Sequence, residues 1–150
     1  SQCSSNEYVY KHFANIRSIG DSDEDLSLCS VILMFNLALT SQLFGTVQNK
    51  SKVLLNSFKF YRIAARVYPQ SPKKKTQAII FLPMAIMNNM AQLYFEMSDY
   101  DNAELCLEKL RSVISNNEEY IDEESFDVPS RKILYENAFV FETPSIAPAA

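Results

Sequence analysis

The sequence predicts a single, mainly α-helical domain that covers residues 1–150, and three observations support this fold class. Hydrophobic residues make up 47% of the chain, which is enough for a globular core. Only two glycines and six prolines occur among 150 residues, which argues against a turn-rich all-β protein and permits long helices. Four stretches between residues 26 and 115 carry the caps or the apolar spacing of helices.

The first predicted helix runs from about Leu26 to Phe44. Asp25 or Ser27 can cap its N-terminus, and Gly45 can take the left-handed conformation that often follows a helix. Apolar residues lie on most of its sides, so we expect this helix to be buried between neighbours.

The second predicted helix begins after a cap at Ser51 and ends near Tyr68, because Pro69 follows. Its apolar residues are spaced by four, three and four positions, and its basic residues share another stripe, as in an amphipathic helix. The apolar residues are Leu54, Phe58, Tyr61 and Ala65, and the basic ones are Lys59, Arg62 and Arg66.

The third predicted helix extends up to Met97 and contains Pro83. Proline is tolerated in a first helical turn and disruptive deeper inside, so either the regular helix starts near Leu82 or a longer helix kinks. Asp99 caps a fourth helix, which runs from Tyr100 to about Ser115.

Both flanks of this helical region predict short strands. Residues 8–17 are rich in aromatic and β-branched types, and residues 132–141 place Ile133, Tyr135, Phe139 and Phe141 at even spacing. We expect the two strands to pair as a small antiparallel β ribbon that packs on the helices. The tail, residues 143–150, is expected to be mobile.

The charges are distributed unevenly along the chain. The net charge is −4, yet the segment between Leu26 and Phe95 has eight basic residues and no acidic one. This asymmetry has two explanations: acidic flanks that lie near the basic middle, or a basic surface in segment 50–75 for an acidic partner or a nucleic acid. Acidic flanks would repel a polyanion, so nucleic acid is disfavoured. The predicted basic patch consists of Lys59, Arg62, Arg66, Lys73, Lys74 and Lys75.

An internal repeat is visible in residues 84–117 and, less clearly, in residues 30–69. In the later segment Ala91, Tyr94, Ser98-Asp99-Tyr100 and Ala103 resemble the small, aromatic and turn positions of the tetratricopeptide repeat (TPR). In the earlier one the matching residues are Asn36-Leu37-Ala38, Gly45, Ser57, Tyr61, Ala64 and Pro69, with about seven extra residues after Gly45. The stretch from Ser30 to Thr40 is also similar to a group of TPR-like proteins common in diatoms, which implies no activity.

The resemblance to TPR proteins implies two antiparallel helical hairpins whose inner helices line a groove for a peptide or helical segment of another protein. Asn36 and Asn89 fall at the same place in the two repeats, where an amide side chain can bind a peptide backbone or satisfy a neighbouring helix. The predicted peptide groove consists of Phe35, Asn36, Leu39, Asn88, Asn89, Gln92 and Phe95. No Lys or Arg is among them, so an apolar ligand is expected rather than an acidic C-terminus.

The sequence contains no pattern that predicts catalysis, a metal site or a cofactor. His12 is the only histidine, and the three cysteines are far apart in the sequence. We therefore expect a non-enzymatic protein-binding scaffold in a reducing compartment, the cytoplasm or nucleus. No apolar run reaches the roughly 18 to 20 residues that cross a bilayer, so no membrane is expected. Two repeats are few for a continuous core, and a homo-oligomer is one way to cover their outer faces.

Overall fold

A computed structural model describes residues 9, 11, 22–73, 76–121 and 128–139. These residues form five α-helices and a short 3₁₀ helix, and they contain no β-strand. The helices are α1 (Asp23–Val47), α2 (Ser51–Val67), α3 (Gln77–Glu96), α4 (Tyr100–Ser115) and α5 (Val128–Phe139), and the 3₁₀ helix covers Glu118–Tyr120. The mainly α prediction is confirmed.

The helices pack as two hairpins followed by a single helix. α1 packs along α2, and α3 packs along α4. α3 also contacts both α1 and α2, and α5 contacts α3 and α4 in the same way. The chain therefore adds each new unit onto both helices of the preceding one. The shared core includes fully buried Phe35, Tyr61, Leu107 and Leu134, together with Val9 from the N-terminal flank.

The prediction of a β ribbon is wrong for residues 132–139, because α5 extends to Phe139 as a helix, and residues 140 and 141 lie outside the described residues. The prediction relied on the even spacing of Ile133, Tyr135, Phe139 and Phe141, of which Phe141 lies outside the described residues. The side chains that pack inward are instead Leu134, Asn137 and Ala138, and their spacing of three and four residues is that of a helix. Apart from Val9 and Lys11, the other predicted strand, residues 8–17, lies outside the described residues, as does the tail 143–150.

Both ends of α1 differ from the prediction. Ser22 caps the N-terminus, where its Oγ accepts a hydrogen bond from the N–H of Asp25 at 3.2 Å, so α1 starts three residues earlier than predicted. At the other end the helix continues through Gly45 to Val47. A Cβ at Gly45 would lie 2.8 Å from Cδ2 of Leu54, so this glycine permits close contact between α1 and α2 rather than ending the helix.

The two hairpins have equivalent turns. Each turn has three residues between helices, and its middle residue is left-handed: Asn49 with φ of 50° in the first and Ser98 with φ of 59° in the second. The N–H of the next residue donates a hydrogen bond to the carbonyl oxygen five residues earlier in the chain, as in a Schellman motif. The two bonds run from Lys50 to Gly45 and from Asp99 to Tyr94. The seven-residue insertion predicted after Gly45 is therefore absent.

Pro83 lies well inside α3, which begins six residues earlier at Gln77, so of the two predicted alternatives the start near Leu82 is excluded and the longer helix is observed. A proline has no N–H, and the carbonyl oxygen four residues before it therefore loses its helical partner. That oxygen belongs to Ile79, and the hydroxyl of Tyr68 donates a hydrogen bond to it. Tyr68 thereby compensates for the proline and links the end of α2 to the start of α3.

Candidate functional site

A groove lies between α2 and α4, with α3 as its floor. α2 and α4 make little direct contact, which leaves adjoining cavities of about 300 Å³ and about 320 Å³ between them. Ala65, Met87 and Lys109 line both cavities, so the two form one groove. The α2–α4 groove is lined by Arg62, Ala65, Arg66, Tyr68, Pro83, Ile86, Met87, Met90, Tyr94, Asn102, Leu105, Cys106, Lys109, Ser112 and Val113.

The floor of the groove is apolar and adaptable. Met87 and Met90 project from α3 beneath the gap, and methionine side chains adjust to ligands of different shape. Ala65 and Ser112 are small, so their side chains leave the space between the two walls open. On α4 the lining extends from Asn102 to Val113, about 16 Å at the rise of an α-helix.

The charged residues that line the groove are all cationic: Arg62 and Arg66 on α2 and Lys109 on α4. Among the described residues, no carboxylate lines it. In the part of the chain that the structure describes, none of the three forms an ion pair. Lys59 lies on the same stripe of α2, one turn before Arg62, and is exposed. Since no described carboxylate pairs with these charges, we expect a positive potential over the apolar floor of the groove.

Aromatic rings hold the cationic rim at one end of the groove. The guanidinium of Arg62 lies 5.8 Å from the ring centroid of Phe58. Phe58 in turn makes an edge-to-face contact with Tyr94, at 4.7 Å between centroids. The stack of Arg62, Phe58 and Tyr94 joins α2 to α3 and restricts where the Arg62 charge can lie.

The groove wall contains the Cys106 thiol and the Tyr68 phenol, weak acids that are both neutral at physiological pH. Burial raises the pKa of the Cys106 thiol to about 11, an effect that nearby Lys109 opposes. Burial also raises the pKa of Tyr68 to about 12. A thiol with such a pKa is a poor nucleophile. Among the described residues no group of three or more His, Cys, Asp or Glu side chains could hold a metal ion.

The basic patch predicted from the sequence is divided by the fold. Arg62 and Arg66 line the α2–α4 groove and Lys59 extends their stripe, as the amphipathic pattern of α2 implies. Lys73 lies elsewhere: its backbone N–H donates a hydrogen bond of 2.9 Å to Oε1 of Glu24 at the start of α1. Lys74 and Lys75 lie outside the described residues. Lys109 was not predicted, because only the packing of α4 brings it opposite α2.

Five of the seven residues in the predicted peptide groove are buried, and only two are partly exposed. The buried residues are Phe35, Leu39, Asn88, Asn89 and Gln92, and the partly exposed ones are Asn36 and Phe95. When the two hairpins are aligned on their left-handed turn residues, Asn49 and Ser98, Asn89 corresponds to Thr40 and not to Asn36.

The buried asparagines belong to a chain of hydrogen bonds that crosses the core. Tyr61 donates to Oε1 of Gln42 at 2.9 Å and accepts from Nδ2 of Asn89 at 2.9 Å. Nδ2 of Asn88 donates to Oδ1 of Asn89 at 3.0 Å, and Nδ2 of Asn137 donates to Oδ1 of Asn88 at 2.6 Å. Burial raises the pKa of Tyr61 well above its usual value, against the smaller effect of the bond from Asn89. This series of hydrogen bonds joins α1, α2, α3 and α5. The sequence alone does not indicate that Gln42 and Asn137 take part in it.

α1 is the one helix in the described part of the chain that is long and apolar enough to cross a membrane, judged by length and composition alone. One of its faces is packed against α2 and α3, and a core helix of a soluble protein passes the same test.

Comparison of the chain with protein-family models, with curated proteins and with solved structures found no match.

Proposed function

We propose that the chain is a protein–protein interaction module that binds a short acidic segment of a partner protein, with apolar side chains, in the α2–α4 groove. The observation that carries this proposal is an apolar floor with Arg62, Arg66 and Lys109 at the rim and no carboxylate among the described lining residues. Stacked helical hairpins, as in the TPR family that the sequence resembles, support it because repeat proteins use stacked units to build binding surfaces.

The dimensions of the groove limit the ligand. A length of about 16 Å fits about three turns of helix or about five extended residues. A bound segment would place apolar side chains on Met87 and Met90 and acidic side chains near the three cations. Arginine can bind a carboxylate through two parallel hydrogen bonds, which favours Asp and Glu in the ligand. The inner-helix groove is the weaker candidate, because most of its residues have no exposed surface to offer.

The test is a selection of random twelve-residue peptides on the immobilised protein. We expect enriched peptides that combine Asp or Glu with Leu, Ile or Phe. Their affinity should fall at least about tenfold for the triple variant Arg62→Glu, Arg66→Glu, Lys109→Glu, since three attractive rim charges become repulsive. The matched control reverses Lys11, Lys52 and Lys132, which are exposed and do not line the groove, and should bind as the wild type does.

Two outcomes would overturn the proposal. One is a set of selected peptides without acidic enrichment, or with equal affinity for the triple variant. The other is tight binding of a fluorescent single-stranded oligonucleotide that the triple variant loses and that weakens steeply with salt. The latter result would identify the groove as a nucleic-acid site.

A further inference from the structure

The outer face of α1 carries a regular stripe of exposed residues. The stripe comprises Asp23, Leu26, Ser30, Leu33, Leu37, Thr40, Phe44 and Val47, and all eight are exposed. Their spacing alternates strictly between three and four residues, which is the a/d spacing of a coiled-coil seam. We call this set the α1 seam. It lies opposite the buried face of α1, which contains Val31, Phe35 and Ala38.

The α1 seam leaves much apolar area in water. Its four aliphatic residues and one aromatic are between 48% and 72% exposed. No other described helix covers this face, because α2 and α3 pack on the opposite side. Contiguous apolar stripes of this kind on a protein surface usually mark a contact with another molecule.

We propose that the α1 seam is the interface of a homodimer, in which α1 packs antiparallel against α1 of a second copy. A two-fold axis near the middle of the helix would pair residues whose numbers sum to 70. In this register Leu33 faces Leu37 of the second copy, Leu26 faces Phe44, and Ser30 faces Thr40. Each contact occurs twice, as a two-fold symmetric interface requires.

The polar positions of the α1 seam are compatible with burial in this register. The hydroxyl of Ser30 already donates to the carbonyl oxygen of Leu26 at 3.0 Å, and that of Thr40 donates to Asn36 at 2.8 Å. Neither donor loses its partner when Ser30 and Thr40 meet across the interface. A shift by one heptad would place Thr40 against Leu37, or Ser30 against Leu33. Between Leu26 and Phe44 only the sum of 70 pairs apolar with apolar and hydroxyl with hydroxyl, and at each end of the seam it places Asp23 opposite Val47.

Charge selects the antiparallel orientation. The first turn of α1 is acidic, with Asp23, Glu24 and Asp25, and α1 contains no Lys or Arg. Just beyond its C-terminus are Lys50 and Lys52, and Nζ of Lys50 lies 5.2 Å from the ring centroid of Phe44 at the end of the α1 seam. An antiparallel pair places each acidic end beside the lysines of the other copy. A parallel pair would bring the acidic ends together.

The mass of the protein in solution tests the interface. Analytical ultracentrifugation across the micromolar range should give the mass of two chains for the wild type. The double variant Leu33→Glu, Leu37→Glu should sediment as a monomer with the same far-UV circular dichroism. The matched control, Tyr100→Glu with Leu105→Glu, exchanges two exposed residues on α4, which does not pack on α1, and should remain dimeric.

Disulfide trapping tests the register in a background where the three native cysteines are replaced by alanine. A mixture of Leu26→Cys and Phe44→Cys chains should form a cross-linked heterodimer on oxidation. Leu26→Cys alone should stay unlinked, because its two copies would be about 27 Å apart along the antiparallel pair.

Three results would overturn the proposal. A monomeric wild type means that a different occupant, such as another segment of the chain, covers the α1 seam. Cross-linking of Leu26→Cys with itself means a parallel pair. Binding of the wild type to neutral lipid vesicles, lost in the Leu33→Glu, Leu37→Glu variant, means that the α1 seam contacts a membrane.

Discussion

Replacing Tyr61 by phenylalanine tests the hydrogen-bond chain that crosses the core. The side chain of Tyr61 is fully buried, and its hydroxyl bonds to both Gln42 and Asn89 at 2.9 Å. Phenylalanine preserves the ring and its contact with Phe35, whose centroid lies 5.9 Å away, so packing changes little. The variant therefore isolates the loss of one hydroxyl.

The expected cost follows from the two partners that remain buried. Each buried polar group that loses its hydrogen bond costs about 1 to 3 kcal/mol, and part of this is regained because the tyrosine hydroxyl no longer has to be desolvated. We expect Tyr61→Phe to lower the free energy of unfolding by about 2 to 4 kcal/mol. In a chain of this length that corresponds to a melting temperature lower by roughly 5 to 15 °C.

Urea unfolding followed by far-UV circular dichroism measures this change, with Tyr94→Phe as the matched control. Tyr94 is only partly buried, and its hydroxyl has no hydrogen bond in the described part of the chain. The control should differ from the wild type by less than about 0.5 kcal/mol. Equal stability of Tyr61→Phe and Tyr94→Phe would show that the hydrogen-bond chain does not stabilise the fold.

Three further predictions concern stability. Tyr68→Phe should lower the free energy of unfolding by about 1 to 2 kcal/mol in the wild type and by less in a Pro83→Ala background, because alanine at that position has a backbone N–H that can bind the carbonyl oxygen of Ile79. A double-mutant cycle of urea midpoints measures the difference. Gly45→Ala should destabilise the protein by about 1 to 3 kcal/mol, because the added methyl group overpacks the contact with Leu54. Ser98→Gly should stabilise the protein by up to about 1 kcal/mol, because glycine adopts a positive φ without strain. A melting temperature that rises for Gly45→Ala or falls for Ser98→Gly would contradict the geometry. The free energy of unfolding should fall as the pH rises from about 9 to 12. Folding raises the pKa values of Cys106 and Tyr68 to about 11 and about 12, so the unfolded chain releases these protons at a lower pH than the folded chain does. A Cys106→Ala, Tyr68→Phe variant should lose less stability over this pH range.

Local patterns predicted α2 and α4 from their amphipathic spacing, but the predicted cap of α2 at Ser51 is wrong, because Ser51 is the first helical residue and Lys50 precedes it without a capping side-chain hydrogen bond. The predicted span of α4 agrees with the structure, including its cap at Asp99, whose side chain accepts from the N–H of Asn102. α5 was missed because a short window rich in apolar and aromatic residues fits both periods, and only contacts with α3 and α4 select the helix. Gly45 was wrongly predicted to end α1, because its actual role is to leave room for Leu54 of α2, and the sequence does not show that contact.

The candidate site was harder to predict than the helices, because its parts meet only after packing. The pattern of α2 placed Arg62 and Arg66 on one stripe, but Lys109 joins them from another hairpin, and no local spacing connects them. Asn88 and Asn89 are equally suited to a peptide and to a neighbouring amide. Their partners, Tyr61 and Asn137, come from α2 and α5, so the choice is made by tertiary structure.

The α1 seam and the α2–α4 groove are on different parts of the molecule, since no residue of α1 lines the groove. A dimer through α1 would therefore keep two grooves open and bind two copies of a ligand. When the selected peptide is immobilised densely on a surface, the dimer should dissociate at least about a hundredfold more slowly than the monomeric Leu33→Glu, Leu37→Glu variant. In solution the two proteins should bind the free peptide with equal affinity, because each groove is unchanged. Equal dissociation from the surface would show that the grooves do not act together, and a difference in solution would show that the α1 seam affects the groove itself.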